Sequence, residues 1–157
     1  MAAKWLNMLP KPVRVVPDME VRAIYSASFR IMGRSLDPDE ISKTLKLKPT
    51  QAHRRGDKNI GKSGRRYSDF REGLWLLESG IDEKMPAPKH IKKLVSILLP
   101  KRQKLHTIAG QRGVRMDISL GIFGRNYNWG FFLEKQLLAN IAKLPIDIDF
   151  DIYDTGK

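Results

Sequence analysis

A chain of 157 residues with 29 Lys and Arg against 17 Asp and Glu has a formal charge of +12, enough to set up a long-range field favouring anionic partners. It contains no cysteine, which excludes disulfides, thiol nucleophiles and cysteine-ligated zinc; its length fits one domain able to bury roughly two thirds of its unfolded surface unaided. The apolar run near the start is broken by Asn7 and ended by Pro10, too short for a signal-peptide core or a membrane span, so a cytoplasmic protein with no membrane attachment is expected.

Residues 1–20 hold three prolines and no sustained period, and read as an arm lying over or trailing from a single domain at 21–157. From Val21 to Ile31 the chain has a period of two, with one apolar face and one mixed face, which predicts a long strand ended by Gly33. Leu36-Asp37-Pro38-Asp39-Glu40-Ile41 then spells out a helix start. Asp37 can cap, Pro38 supplies a preset φ, Glu40 can reach back as in a capping box, and Leu36 can staple against Ile41. The helix must stop before Pro49, which pushes Lys48 into extended geometry. Thr50 to Arg55 reads as a short polar strand near an edge, Gly56 to Gly64 as an exposed basic loop, and Leu74 to Leu77 as a strand covered on both faces.

Pro86 and Pro88 mark the next boundary. Ile91, Leu94, Val95 and Leu98 follow at helical spacing with Lys89, Lys92 and Lys93 off the stripe, and Leu105, Ile108 and Ala109 suggest a second helical piece after Pro100. Val114 to Ile122 alternates as a strand ended by Gly124, Phe132 to Ile141 frames a helix, and Ile146 to Tyr153 closes the chain in strict alternation. The order is βαββαβαβ: an α+β domain with a mainly antiparallel sheet of about five strands, helices on one face, and first six elements matching a ferredoxin-like split unit.

The run Phe29-Arg30-Ile31-Met32-Gly33, the helix start at Leu36 to Ile41, Leu45, Pro49-Thr50, Arg55-Gly56-Asp57, Gly73-Leu74-Trp75 and the closing Asp147 to Tyr153 together resemble the bacterial family catalogued as domain of unknown function 4279. The resemblance covers nearly all of the chain after residue 20. It implies a shared fold and a bacterial source and implies no particular chemistry.

The charge is uneven. Lys48 to Arg71 holds eight Lys/Arg against Asp57 and Asp69, Lys84 to Arg115 holds nine with no acid, and Asp147 to Asp154 holds four Asp with no base. Gly56 to Ser63 satisfies the phosphate-loop pattern G-x-x-x-x-G-K-[ST] letter for letter, but that pattern works only between a buried strand and a helix N-terminus. Here polar residues precede it and Gly64-Arg65-Arg66 follows, so a basic loop is the favoured reading. Asp147, Asp149 and Asp151 share one strand face and form a weak metal candidate, with a solvent-facing edge or cross-strand pairing to Arg or Lys preferred.

Tyr127 and Trp129 lie in an aromatic and asparagine-rich loop and could stack on bases, plug a core or form a protein contact patch. The histidines His53, His90 and His106 show no metal-pair spacing and are expected to be solvated or hydrogen-bonded.

The composite expectation is a non-catalytic binding module, without a cofactor, whose basic face engages an anionic partner, either nucleic acid or an acidic protein. Arg54, Arg55, Lys62, Arg65, Arg66, Lys92 and Lys93 are the candidate contacts, and Asp37, Pro38, Ile41, Trp75, Leu94, Ile118 and Phe150 the structural residues. A protein-interaction or immunity-type module is the alternative, and an Mg/nucleotide-dependent enzyme a more distant one. A polar edge strand leaves dimerisation by strand pairing open.

Overall fold

The computed structural model describes residues 23–124 and 130–155. The long alternating segment forms strand β1, Ala23–Gly33, at the centre of the sheet. Its odd-numbered residues Ala27, Phe29 and Ile31 are buried, while Ser26, Ser28 and Arg30 face the other way.

Helix α1 runs Pro38–Leu45, with Asp37 in extended geometry accepting from the Asp39 amide at 3.0 Å. It ends at Lys46, whose left-handed φ of 53° turns the chain three residues before Pro49. Strands β2, Gln51–His53, and β3, Gly73–Glu78, follow. Helix α2 spans Ala87–Leu98, and Pro100 sits in a single 3-10 turn, Leu99–Lys101, that leads directly into α3, Arg102–Ala109. Strand β4, Arg115–Gly124, helix α4, Lys135–Ile141, and strand β5, Asp147–Asp154, complete the described chain.

The strands form one mixed sheet in the order β2-β3-β1-β4-β5. β1 pairs antiparallel with both β3 and β4, β2 pairs antiparallel with β3, and β4 pairs parallel with β5. The result is an α+β domain. No helix among the described residues is long and apolar enough to cross a membrane.

One core lies between the sheet and the helices. Phe29, Ile31, Trp75, Ile118, Leu120 and Ile122 from the strands meet Ile41 and Leu45 of α1, Ile91, Leu94 and Leu98 of α2, Leu105 and Ile108 of α3 and Leu137 of α4. Each such large side chain stabilises the fold by about 1.5–3 kcal/mol relative to exposure. Trp75 also donates its indole N–H to Ser42 Oγ at 2.9 Å, tying β3 to α1. Of the residues expected to be structural, Asp37 caps and Pro38, Ile41, Trp75, Leu94 and Ile118 are buried.

Three expectations need correction. Phe150 is 44% exposed, because β5 is the outermost strand of the sheet. β3 is covered unevenly: Trp75 is buried on the helix side, whereas Leu74 and Leu76 on the other side are only half-buried, with no described helix over them. Helix α4 begins at Lys135 rather than Phe132, leaving Phe132 75% exposed. Residues 1–20 and the loop carrying Tyr127 and Trp129 lie outside the described residues.

Candidate functional site

The segment between β2 and β3 is an ordered finger. Its two limbs are joined by backbone bonds from Gly56 N to Phe70 O (2.8 Å), Phe70 N to Asp57 O (3.1 Å), Tyr67 N to Asn59 O (2.8 Å) and Gly61 N to Arg65 O (2.8 Å), with an antiparallel bridge between Ile60 and Arg66. A tight turn closes the tip, where Gly64 N donates to Gly61 O at 2.8 Å and Gly64 takes a φ of +78° that favours glycine. The physical reason is local: glycines at 56, 61 and 64 permit the turn and the close approach of the limbs. A Cβ on Gly61 would meet the Tyr67 ring at 2.9 Å.

This geometry decides the phosphate-loop match. The amides of Gly56, Gly61 and Gly64 donate to carbonyls of the finger itself, and Ser63 lies in the tip turn, followed by the returning limb rather than by a helix. A phosphate cradle needs those amides free at a helix N-terminus.

Lys62, Arg65 and Arg66 stand at the exposed tip, with Arg55 and Lys58 nearer the root. The Arg65 guanidinium lies 5.4 Å from the Tyr67 ring centroid, and Arg66 approaches Asp69 only at 3.8 Å. Ile60 and Tyr67 are exposed beside them, at 60% and 48%. Arg54 has a different position. Its guanidinium bridges Asp37 and Asp39 at the start of α1, and those bonds, that to Asp39 first, hold its pKa above the ordinary value. The Asp37 carboxyl is correspondingly held below its usual range, chiefly by the Asp39 amide. Lys92 and Lys93 are exposed on α2, within the helix layer and not on the finger.

The opposite side of the sheet is open and charged. Arg30, at its centre, donates from Nε and Nη2 to both oxygens of Asp117 on β4 (2.6 and 2.9 Å), and from Nη2 to Asp149 on β5 (3.0 Å). The first of these partners does most to raise the Arg30 pKa. Asp149 of β5 thus pairs with an arginine two strands away rather than with one on the adjacent strand. Among the described residues no group of three or more His, Cys, Asp and Glu is arranged to hold a metal ion.

Beside Arg30 the returning limb of the finger roofs a hollow of about 430 Å³ lined by Met32, His53, Phe70, Arg71, Leu74 and Leu76. The rings of His53 and Phe70 stack with centroids 3.5 Å apart. Burial pushes the His53 pKa down, and its Nδ1 is buried without a hydrogen-bond partner among the described residues. Neither Arg30 nor this hollow was among the sequence candidates. The available signals were an arginine on the polar side of a long strand and an aromatic pair, Tyr67 and Phe70, in a polar loop.

His90, expected to be solvated or hydrogen-bonded, is 1% exposed on α2. Its Nε2 faces the Met85 carbonyl at 3.2 Å, which can only accept, so Nε2 carries the proton and Nδ1 accepts from Ser79 Oγ at 2.8 Å. The pair joins the end of β3 to α2.

The geometry defines an α+β sheet domain with helices on one side, a charged open side and a basic finger at the β2 edge. The chain belongs to the family described as Domain of unknown function (DUF4279), whose model matches residues 22–155. No curated protein matches the sequence.

Proposed function

We propose that the protein is a non-catalytic binding module whose finger engages an anionic macromolecule, in the first instance nucleic acid. The observation that carries this reading is the tip itself, where Lys62, Arg65 and Arg66 are exposed within five positions of a hydrogen-bonded turn. Cations held on an ordered scaffold lose less conformational freedom on binding than cations on a loose loop. Ile60 and Tyr67 add an apolar and stacking surface next to them, suited to sugar and base contacts.

Arg55 and Lys58 extend the same path toward the root, while Arg54 acts as a buttress through Asp37 and Asp39. Lys92 and Lys93 contribute to the long-range field rather than to the contact. A cytoplasmic, bacterial setting is part of this proposal. So is a ferredoxin-like reading of the first six elements, supported by the β2-β3-β1-β4 order and its antiparallel pairings. The alternative, an acidic protein partner in an interaction or immunity-type role, draws on the same exposed Ile60 and Tyr67.

Fluorescence anisotropy with single- and double-stranded oligonucleotides at low and high salt tests the proposal. Salt-sensitive binding that is lost in a Lys62→Ala/Arg65→Ala/Arg66→Ala variant is the expected result. Absence of binding even at low salt removes the nucleic-acid reading, and one stoichiometric protein recovered by the wild type and not by the variant would put the acidic protein in its place.

A further inference from the structure

Strand β5 is the outermost strand of the sheet, eight residues long, and among the described residues nothing pairs with its outer edge. A strand in that position presents unpaired amides and carbonyls along its length, a template for an added strand. Its two faces differ sharply. On the helix side stand Ile148, Phe150 and Ile152, of which Phe150 and Ile152 are 44% and 61% exposed, with Phe131 stacked against Phe150 at 6.1 Å. On the open side stand Asp147, Asp149 and Asp151; Asp149 meets Arg30, and neither Asp147 nor Asp151 has an ion-pair partner within 4.0 Å among the described residues.

The alternation selects the occupant. Pairing of β5 with a second copy about a two-fold axis would keep each face on its own side and set aspartate directly against aspartate. Like charges directly opposite are destabilising on a sheet. A strand with Lys or Arg at every second position, and apolar residues between, would set cations against Asp147 and Asp151 while covering Phe150 and Ile152. We propose that the outer edge of β5 is a docking site for an extended segment of a partner protein in which basic and apolar residues alternate, bound by strand addition.

The test uses the full chain and synthetic peptides as long as β5: alternating lysine and valine, alternating glutamate and valine, and a lysine and valine peptide of the same composition in block order. Binding is read by isothermal titration and by protection of β5 amides from hydrogen exchange. The alternating basic peptide is expected to bind at least about tenfold tighter than the acidic one, since the cross-strand pairs at Asp147 and Asp151 change sign, and to protect the β5 amides. An Asp147→Lys/Asp151→Lys variant should reverse that preference, and its unchanged circular dichroism would confirm that it folds. Equal affinity for the block peptide, protection outside β5, or no preference between the charged peptides would overturn strand addition by a basic partner. Concentration-dependent dimerisation of the wild type that protects β5 would instead assign the edge to a second copy.

Discussion

Single residues fix the junctions on which the finger and the sheet depend. Ser79 is 6% exposed and its hydroxyl satisfies Nδ1 of a His90 that is almost wholly enclosed. Ser79→Ala leaves that nitrogen buried without a donor, and chemical denaturation should report a loss of about 1–3 kcal/mol. The same histidine makes stability depend on pH. Burial pushes its folded pKa below the ordinary value, outweighing the Met85 carbonyl that acts in the other direction. The unfolded state therefore binds the proton more readily, so the contribution is fully present above the unfolded value of about 6.5 and is lost as pH falls from there through the depressed folded value. Melting temperature should drop across that window in the wild type, and His90→Gln should flatten the drop; identical profiles for the two proteins would show that His90 does not titrate on unfolding.

At the scale of elements, close backbone approaches decide how the finger is anchored. Gly73 opens β3 directly after the finger, and a Cβ there would lie 2.9 Å from the Leu36 carbonyl oxygen and 3.2 Å from that of Gly33. Neither backbone atom can swing away as a side chain could. Gly73→Ala should destabilise by about 1–3 kcal/mol through overpacking, measured by urea unfolding, with the finger's amide protection falling first.

The elements best legible in the sequence were those whose signal is local. The α1 start was readable because Asp37 and Pro38 act within one turn, and β1, β4 and β5 were readable from period-two alternation. The uneven cover of β3 is not legible because Gly73-Leu74-Trp75-Leu76-Leu77 carries no alternation; continuous apolarity does not tell a full layer on each face from a helix layer on one and the partial roof of the finger on the other. The finger's order was hidden for a related reason. Its bonds join residues as far apart as Gly56 and Phe70, and only the backbone shows that glycines at both turns let those limbs meet. Arg30 reaching past β4 to Asp149 depends on strand order, which a strand's own sequence does not encode.

Across the whole molecule the charge is polar along the sheet. The finger leaves from the β2 edge and carries Arg55, Lys58, Lys62, Arg65 and Arg66, while the β5 edge carries Asp147, Asp149, Asp151 and Asp154. Among the described residues Arg30 at the centre is engaged by two of the acids on its side of the sheet, whereas Lys62 and Arg65 on the finger and Lys92 and Lys93 on α2 are exposed. If the proposed polyanionic partner is the right one, such an arrangement would orient the molecule in its field before contact, with the finger leading.

The most direct test is the salt dependence of oligonucleotide affinity in the wild type and in the Lys62→Ala/Arg65→Ala/Arg66→Ala variant. If each tip cation neutralises one phosphate, the slope of log affinity against log salt should be about 2–3 less steep in the variant. Equal slopes in the two proteins, with binding intact, would place the contact elsewhere on the surface and contradict the finger as the binding element.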